Sequence, residues 1–514
     1  MINIVYKSIN PKIELLNEFI KEQDYKKVNT YIYTEKNIKL DNDKIKIIKF
    51  KNYINLPKNI IIYEEERKKK NYYKKTYISD YIKFNKNTHI ETINIQLKTD
   101  YWIYKVIEKL SENKYDFNKK AIFYCLTDSL PYDSSGYAIR SHNIIKNFNK
   151  ISTTYNLLGI TRYQYPNDKY LNYNNEFVDN INNVLYIRLP VFSNKIYGIG
   201  SDKYNNFAIN YFQKLYHYLK PKKIHTTTPY NNSICPMLLS INRQIPLIYE
   251  FRGKLELSLI ANNINDTEKY NKILNMDKLL INNSNIIISI TNQLKSYLID
   301  LYSISKPIYI LPNCITIDDY IIEDTFNREE FRKKNNLTGY VIGFFGTLNY
   351  YEGIDILISC IEELNQNINI LLIGFDKMNI KDELTKYNIN NRIKYIEKLE
   401  HTLIKYYIKS IDLYIIPRRN EKVCEIISPI KPFEPMILKT PLLMSDCECL
   451  TEIADNGNNC YLFLKNNKQD LIYKINQIYN NGYDNKILEN GFNYVKNYRQ
   501  WINYVQLLEE IYNI

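Results

Sequence analysis

The chain has 514 residues, 45% of them hydrophobic, which is more than one hydrophobic core usually serves and predicts at least two domains. Its formal net charge of +13 would suit an anionic partner, but the basic residues are spread along the chain instead of clustered, so no nucleic-acid partner is expected. Eight cysteines without paired spacing, no apolar run of bilayer length and no signal-peptide pattern favour a cytoplasmic protein, at most in peripheral contact with the inner face of a membrane.

The first 118 residues form an N-terminal extension whose fold and role the sequence does not define. They contain short β-rich runs separated by lysine-rich loops. We therefore treat residues 1–118 as a separate unit.

From residue 119 to about residue 320, short Ile- and Tyr-rich runs alternate with amphipathic stretches. This alternation is typical of βα units that build a parallel sheet. It predicts a Rossmann-like, doubly wound domain. The predicted strands are AIFYCLTD, YNLLGIT, VLYIRLP, KKIHTTT, IPLIYEF, NIIISIT and PIYILPN.

The same pattern repeats from residue 321 to residue 480 and predicts a second Rossmann-like domain. Residues 481–514 are predicted to form helices that pack back on the first domain. Two such sheets would face each other across a cleft, and ligands of open α/β sheets bind at the carboxyl ends of the strands. The strands of this second series are YVIGFFG, INILLIGF, RIKYIEKL, DLYIIP, PLLMSD and CYLFL.

The second domain carries a candidate diphosphate site. Neither a Gly-x-Gly-x-x-Gly fingerprint nor a P-loop is present, so dinucleotide and P-loop chemistry are not expected. Gly346 and Thr347 follow one predicted strand, Arg418 and Arg419 follow another, and Lys431 precedes a predicted helix. Loop amides, guanidinium groups and an ammonium group together suit a diphosphate.

The stretch SPIKPFEPM contains that lysine and a nearby carboxylate. Pro432 suits the first position of a helix, which would aim Lys431 at a phosphate and place Glu434 in the first turn, where its carboxylate could accept from a ribose diol. By spacing alone, Glu434 could equally be a carboxylate stabilised by the helix dipole and Lys431 a surface residue.

The order of these segments from about residue 120 onward resembles the retaining glycosyltransferases of family 4, which have the two-domain GT-B fold. The resemblance is carried by IHTTTPY, IPLIYEFRG, VIGFFGTLNYYEGIDILI, YYIKSIDLYIIPRR, SPIKPFEPMILKTPLLMSD and LTEIADNGNNCYLF. The last three include the pattern of a subgroup that carries a "PRR…PLKPFE" motif.

The resemblance implies a retaining transferase of the hexosyltransferase type, which moves a sugar from a UDP- or GDP-sugar to a hydroxyl of a glycan or lipid-linked acceptor in polysaccharide biosynthesis. It implies no cofactor and no metal, with Lys431 and Arg418 stabilising the leaving diphosphate and Glu434 on the donor ribose. In this family the donor phosphate itself is usually written as helping to take the acceptor proton.

Two departures from the family pattern concern the donor site. The first glutamate of the family's E-x7-E motif would fall at position 426, which is Ile426, and Glu425 lies one residue early. Many members carry a basic pair in the loop after the first strand of this domain, whereas this chain has Glu352 before Gly353. Phosphate neutralisation is then expected to rest on Arg418, Arg419 and Lys431.

In the first domain, DSSGYAIRSH gives three further candidates. Gly136 is expected to let the backbone approach the donor phosphates, because glycine has no Cβ, although a simple helix-entry turn would look the same. Arg140 and His142, on the helix that follows, are candidates for the acceptor side. For His142 the alternative is a partly buried polar residue.

Candidate catalytic groups lie at the ends of two strands of the first domain. His225 ends the strand KKIHTTT, where relatives often carry His-x-His, and the second position of that pair is Thr227 here. A lone histidine is more often structural. Arg252 follows IPLIYEF and could bind a phosphate or an acceptor through its planar fork, unless it forms a salt bridge with Glu250 or Glu256.

Two other functions remain open from the sequence. Sugar-nucleotide 2-epimerases share the fold and bind the same diphosphate, but they would need acid and base side chains around the sugar ring. The fold could also serve as a non-catalytic scaffold, with the function in the N-terminal extension, and Ile426 keeps that possibility open.

Overall fold

The computed structural model describes residues 89–166, 177–190, 197–387, 391–397 and 399–514, together with four short strands near the N-terminus. Of these strands, β1 pairs with β4 and β2 with β3; they are β1 (Val5–Lys7), β2 (Thr30–Tyr33), β3 (Ile45–Ile48) and β4 (Ile60–Ile62). The expectations for the rest of residues 1–88 lie outside the described residues.

Contacts divide the chain into two compact units. One comprises Met1–Glu112 with Val191–Ile196, and the other comprises Asn113–Pro190 with Tyr197–Ile514. The described end of the first unit is helix α1 (His89–Glu112). Both predicted α/β domains lie in the second unit.

The first sheet of that unit has eight strands in the order β12-β11-β10-β9-β5-β6-β8-β7. All neighbouring pairs are parallel except β7 and β8, which are antiparallel. The edge strand β7 was not predicted from the sequence. The strands are β5 (Lys120–Leu126), β6 (Tyr155–Tyr163), β7 (Val178–Ile181), β8 (Val184–Leu189), β9 (Lys223–Thr227), β10 (Leu247–Phe251), β11 (Ile286–Ser289) and β12 (Ile308–Ile310).

The central strands of this sheet are buried along almost their whole length, which explains why they appear in the sequence as continuous apolar runs and not as alternating ones. Helices connect them. These are α2 (Gly136–Ile151), α3 (Asp202–Leu219), α4 (Ile234–Arg243), α5 (Leu255–Ala261), α6 (Thr267–Asn283) and α7 (Asn292–Tyr302).

The second sheet has six parallel strands in the order β15-β14-β13-β16-β17-β18. This is the doubly wound order in which the chain reverses direction between its first and fourth strands. All six strands were predicted from the sequence. They are β13 (Tyr340–Phe345), β14 (Ile368–Ile373), β15 (Ile393–Ile396), β16 (Leu413–Ile416), β17 (Leu442–Ser445) and β18 (Tyr461–Phe463).

Several helices of the second domain are short. The predicted helix over residues 353–365 is one α-helical segment followed by a 3-10 turn at Cys360–Glu362, and α12 was not predicted. The helices are α8 (Arg328–Lys334), α9 (Ile354–Ser359), α10 (Ile380–Tyr387), α11 (His401–Ser410), α12 (Lys422–Ile426), α13 (Phe433–Ile437), α14 (Glu448–Ala454) and α15 (Lys468–Asn481).

The C-terminal segment contains α16 (Asn485–Tyr498), a 3-10 turn at Trp501–Tyr504 and α17 (Val505–Asn513). Trp501 and Tyr512 are buried in the hydrophobic core of the first sheet, beside residues such as Tyr124. The chain therefore crosses from the second domain back to the first and ends there.

Each sheet reverses its winding at one place: between β5 and β9 in the first sheet, and between β13 and β16 in the second. Connections leave the two central strands in opposite directions there, which opens a crevice beyond the carboxyl ends of the strands. The candidate residues that follow β13 and β16 lie at this crevice of the second sheet.

Candidate functional site

Gly346 follows β13 in a conformation that favours glycine, with a φ of 138°. A Cβ at this position would lie 2.4 Å from the Cε atom of Lys431, so the glycine lets the lysine side chain cross the loop. The N–H of Gly346 donates to the carbonyl of Ile373 at 2.8 Å. This corrects the expectation that its amide is available to a phosphate. The N–H of Thr347, by contrast, donates to no group in the described part of the chain.

The loops that follow β13 and β16 are held tightly together. Gly353 has a φ of 72°, and a Cβ there would lie 2.0 Å from the carbonyl oxygen of Pro417. The N–H of Arg419 donates to the carbonyl of Tyr351 at 3.0 Å. These contacts fix the 3-10 turn Tyr350–Glu352 beside the two arginines.

Glu352 lies between the two cations that were expected to bind the diphosphate. Its Oε2 atom accepts from Nε of Arg418 at 3.2 Å, its Oε1 atom accepts from Nη2 of the same arginine at 3.2 Å, and Oε1 also accepts from Nζ of Lys431 at 2.8 Å. We call Glu352, Arg418 and Lys431 the switch-point cluster. The sequence marked Glu352 only as a departure from the family pattern.

The carboxylate of this cluster is ionised. Burial by itself would raise the pKa of Glu352, but Arg418 and Lys431 outweigh burial and lower the pKa to about 2. Burial opposes the charge of Arg418 too, and Glu352 outweighs it and raises the pKa of that guanidinium. With both cations charged, the cluster carries a net charge of one positive unit.

Arg419 lies in the same loop but is paired with another carboxylate. Its Nη2 atom contacts Asp355, its Nε atom donates to the carbonyl of Tyr350 at 3.1 Å, and its guanidinium stacks 4.1 Å from the Tyr350 ring centre. All three cations expected to neutralise the phosphates therefore contact a carboxylate, and Glu352 and Asp355 offset two of the three positive charges.

The helix that carries Glu434 is short. Pro432 is the residue before its first turn, with φ −61° and ψ −33°, and the helix covers five residues, so the predicted start is one residue early. Glu434 is buried and its Oε1 atom accepts from the hydroxyl of Tyr320 at 2.7 Å. A helix of this length gives only a weak dipole, so charge at this site comes mainly from side chains.

The two positions around the missing motif glutamate have internal partners. Ile426 is buried, and its carbonyl accepts from the hydroxyl of Thr291 at 2.6 Å. The Glu425 carboxylate accepts from the N–H of Glu448 at 2.8 Å and pairs with Lys465 at 2.8 Å. Glu425 therefore fixes α14 to its neighbours.

The loop before α2 reaches the SPIKPFEPM stretch of the second domain. A Cβ on Gly136 would lie 3.9 Å from Cδ1 of Ile430. Ser135 also caps the helix, accepting from the N–H of Ala138 at 3.4 Å, so the residue pattern serves as a helix entry as well. Gly136 thus lies where the two domains meet.

Tyr137 follows Gly136 and was not singled out from the sequence. A Cβ on Gly253 would lie 2.3 Å from the Tyr137 hydroxyl. Desolvation raises the pKa of Tyr137, while the positive charges of Arg252 and Arg418 act to lower it. Guanidinium groups of both domains therefore lie near this phenol.

A second charge cluster, which is fully buried, lies in the first domain at β9 and the carboxyl end of β10. His225 is the middle residue of β9, and this corrects the expectation that it ends the strand. Glu250 accepts from Nη2 of Arg140 at 2.6 Å and from Nη2 of Arg252 at 2.8 Å, and the Tyr124 hydroxyl donates to it at 3.0 Å. His225 Nε2 lies 3.3 Å from the same carboxylate. We call Glu250, Arg140, Arg252 and His225 the Glu250 cluster.

The Glu250 cluster places three of the sequence candidates inside the protein. Arg252 forms the salt bridge with Glu250 that was the alternative to a phosphate contact. Arg140 also donates to the carbonyls of Leu311 and Pro312, at 2.8 Å each. Nδ1 of His225 lies 2.8 Å from the Tyr512 hydroxyl, and burial lowers the pKa of this imidazole.

The remaining first-domain candidates are buried as well. Nδ1 of His142 lies 2.9 Å from the Tyr186 hydroxyl, and burial together with Lys146 lowers the pKa of His142 to about 4. The hydroxyl of Thr227 donates to the carbonyl of Cys125 at 3.4 Å. The alternative for His142, a buried polar residue, agrees with this geometry.

Neither a metal site nor a membrane span is found in the described residues. Their His, Cys, Asp and Glu side chains form no group of three that could hold a metal ion. None of the described helices combines the length and the apolar character needed to cross a bilayer.

Comparison with known proteins agrees with this architecture. Residues 327–501 match the family model of glycosyl transferases group 1. An uncharacterized glycosyltransferase of Methanocaldococcus jannaschii is 28% identical over 173 residues, which cover 33% of this chain and 46% of that protein. The match thus spans less than half the length of this curated relative.

Solved structures of low sequence identity share the fold. Sucrose-phosphate synthase from Thermosynechococcus elongatus gives a TM-score of 0.63 at 14% identity, covering 77% of this chain and 98% of that one. Anabaena HepE, solved with UDP and glucose, gives 0.59 at 14% identity, covering 77% and 99%. WaaG, a glycosyltransferase involved in lipopolysaccharide biosynthesis, gives 0.54 at 15% identity, covering 76% and 98%.

The second α/β domain thus lies within the segment that matches the glycosyl transferases group 1 model, and the two α/β domains together have the GT-B fold.

Proposed function

We propose that the protein is a retaining, metal-independent glycosyltransferase that moves a sugar from a nucleoside-diphosphate donor to a hydroxyl of a glycan or lipid-linked acceptor. The observation that carries the proposal is the switch-point cluster. It holds Arg418 and Lys431 at the carboxyl ends of β13 and β16, with the Thr347 amide in the adjacent loop. Donor ligands of open α/β sheets bind at this position.

The chemistry of these groups suits a leaving diphosphate. Negative charge grows on the diphosphate as the glycosidic bond breaks, and cations already in position stabilise that charge without reorganising. Lys431 supplies a point charge and Arg418 a planar fork. The solved structure of HepE with UDP and glucose supports a nucleotide-sugar donor for a chain of the same fold.

The donor ribose is assigned to Glu434. This residue lies on α13, three residues after Lys431. An ionised carboxylate only accepts hydrogen bonds, which suits the two hydroxyls of a ribose diol. The hydroxyl of Tyr320 already donates to one oxygen. In this proposal the two ribose hydroxyls donate to the carboxylate alongside its present partners.

Gly136 is assigned to the donor phosphates, and its neighbour Tyr137 with Gly253 to the acceptor side, because this loop faces the donor segment at Ile430. Arg140 and His142 are left out of this assignment, since their polar atoms face groups inside the first domain. A lipid-linked acceptor would bring the enzyme to the inner face of the cytoplasmic membrane as a peripheral protein. WaaG, which acts in lipopolysaccharide biosynthesis, supports such an acceptor.

The first experiment measures the melting temperature of the full chain with UDP, GDP, ADP and their sugar conjugates, because a ligand that binds only the folded state raises that temperature. We expect the melting temperature to rise with the nucleotides of one base and not with those of the others. Glu434→Ala should weaken this binding by about 10- to 100-fold, the value of one or two hydrogen bonds to a charged group.

Glu363→Ala is the matched control. This surface glutamate pairs with Lys468 at 2.7 Å in the same domain and should leave nucleotide affinity unchanged. NMR of the product formed from the donor that binds would report the configuration of the new bond and separate a transferase from a 2-epimerase, which needs no acceptor. A chain that binds none of the nucleotides would overturn the proposal and favour the scaffold alternative.

A further inference from the structure

The switch-point cluster contains a carboxylate where a phosphate-binding site is expected to hold only cations. Glu352 occupies the loop in which many members of the resembled family carry a basic pair, and it is 2% exposed. Its position is fixed by the hydrogen bond from its own N–H to the carbonyl of Asn349 at 3.0 Å and by the close approach of Gly353 to Pro417. These contacts fix the backbone of Glu352, and its hydrogen bonds with Arg418 and Lys431 hold the carboxylate in place.

Glu352 accepts more hydrogen bonds from Arg418 than from Lys431. Arg418 donates two hydrogen bonds to Glu352 and a third, at 2.7 Å, to the carbonyl of Ile427. Lys431 has one bond to Glu352. The side chain of Lys431 is 18% exposed, against 7% for Arg418 and 3% for Glu352, so the lysine is the member of the cluster that an incoming ligand can reach.

We propose that Glu352 is a positioning residue of the donor site, which fixes Arg418, serves as the resting partner of Lys431 and lowers the affinity of the site for the nucleoside diphosphate that remains after transfer. This inference rests on the proposed function. On donor binding, the ammonium group of Lys431 exchanges one of its donors from Glu352 to the diphosphate, while Arg418 stays in place.

The charge balance gives the physical reason. The diphosphate of a nucleotide sugar has no terminal phosphate, whereas the free nucleoside diphosphate has one, with a second pKa near 6 that adds negative charge at pH 7. A fixed carboxylate repels the product more than the donor, because repulsion grows with the charge of the ligand. Glu352 therefore favours release of the product from a cluster that would otherwise carry two positive charges.

The test compares Glu352→Gln with the wild type in the full chain, by calorimetric titration with UDP and GDP and by donor kinetics. Glutamine keeps the shape and an acceptor oxygen while it removes the charge. We expect product affinity to rise about ten-fold, as removal of one unit charge close to a diphosphate in a partly buried site predicts. Both kcat and the donor KM should fall, because release becomes slower.

Two further variants separate positioning from a purely structural role. Glu352→Asp keeps the charge but shortens the reach, so product affinity should stay near that of the wild type while kcat/KM falls. Glu363→Gln makes the same chemical change on the surface of the domain and should change neither quantity. A structural role alone would lower the melting temperature of Glu352→Gln and leave its product affinity unchanged.

The outcomes also distinguish this inference from the function on which it rests. If the wild type binds neither nucleotide, the proposed function fails. If the wild type binds one of them and Glu352→Gln binds it with equal or lower affinity, the role of Glu352 is wrong while the proposed function stands. If Glu352→Gln does not fold, a product affinity of Glu352→Asp that rises toward ten-fold above wild type would overturn the charge argument.

Discussion

The two domains each place a buried carboxylate between two cations at the carboxyl ends of parallel strands, yet the two clusters differ in what they can bind. In the first domain, Glu250 is enclosed by Arg140, Arg252, Tyr124 and His225. In the second, Glu352 is bound by Arg418 and Lys431. The Glu250 cluster is fully buried inside the protein, whereas the switch-point cluster has a lysine that is partly exposed.

The difference between the two clusters follows from the parts of the chain that supply the partners of each carboxylate. Arg140 is held by Glu250 and by two carbonyls of the segment after β12, so it joins elements of one domain into a closed network. The switch-point cluster lies at the winding reversal of its sheet, and its lysine stays 18% exposed there. Similar residue types therefore stabilise a fold in one place and form a candidate ligand site in the other.

The largest expected effect comes from breaking the closed network. Glu250→Ala leaves Arg140 and Arg252 buried without their carboxylate, and removing one partner of a buried ion pair costs about 3–5 kcal/mol. Unfolding by urea, followed by fluorescence, measures the loss. Glu363→Ala, which breaks an exposed pair with Lys468, should cost far less, because exposed ion pairs contribute little to stability. A loss of that small size at Glu250 would show that the two clusters do not differ as argued.

Lys431→Ala should mainly lower donor turnover, whereas Glu250→Ala should mainly lower stability. Lys431→Ala removes the exposed cation of the switch-point cluster while the buried pair of Glu352 and Arg418 remains. We expect kcat/KM for the donor to fall about 100- to 1,000-fold, as loss of one stabilising donor does in other active sites. The loss of stability should be smaller than that of Glu250→Ala, because Arg418 stays paired with Glu352.

Lys468→Ala is its control, because this lysine forms an ion pair of similar length on the surface of the same domain. Donor turnover should be unchanged in that variant. If Lys431→Ala kept kcat/KM within about three-fold of the wild type, a direct contact of Lys431 with the transition state would be excluded.

The smallest expected effect concerns acid sensitivity of the first domain. The pKa of His142 is lowered to about 4 by burial and by Lys146, against about 6.5 in the unfolded chain. Between these values the unfolded state binds more protons, so stability falls as the pH falls through this window. From pH 7 to pH 5.5 the loss is about 1 kcal/mol.

His142→Asn removes this titration and should flatten the stability curve in that range, while donor affinity, which depends on the second domain, should follow the wild type. Equal slopes for wild type and variant between pH 7 and pH 5.5 would mean that His142 stays neutral in both states.

The strands of both sheets were predictable from the sequence, because parallel strands buried on both faces need continuous apolar runs. YVIGFFG and DLYIIP gave β13 and β16, and their carboxyl ends gave Arg418 and Gly346 as candidates. The antiparallel edge strand β7 was missed, because a four-residue strand with two buried residues has no run of this kind.

Side-chain partners were much less predictable. Sequence patterns indicated Arg418, Arg419 and Lys431 as three cations for a phosphate, but they could not show that Glu352 and Asp355 offset two of these charges. They could not separate Arg252 as a ligand-binding group from Arg252 as the partner of Glu250, since both roles need an arginine after a strand.

The sequence by itself thus determined the two-sheet architecture and the positions at strand ends, since hydrophobic periodicity and strand order along the chain are local properties. Only the tertiary structure decided which charges are paired, because Glu352 meets Lys431 across 79 positions of sequence and Arg140 meets Glu250 across 110. Whether a charge is buried and satisfied or open to a ligand depends on such distant neighbours, which no local pattern specifies.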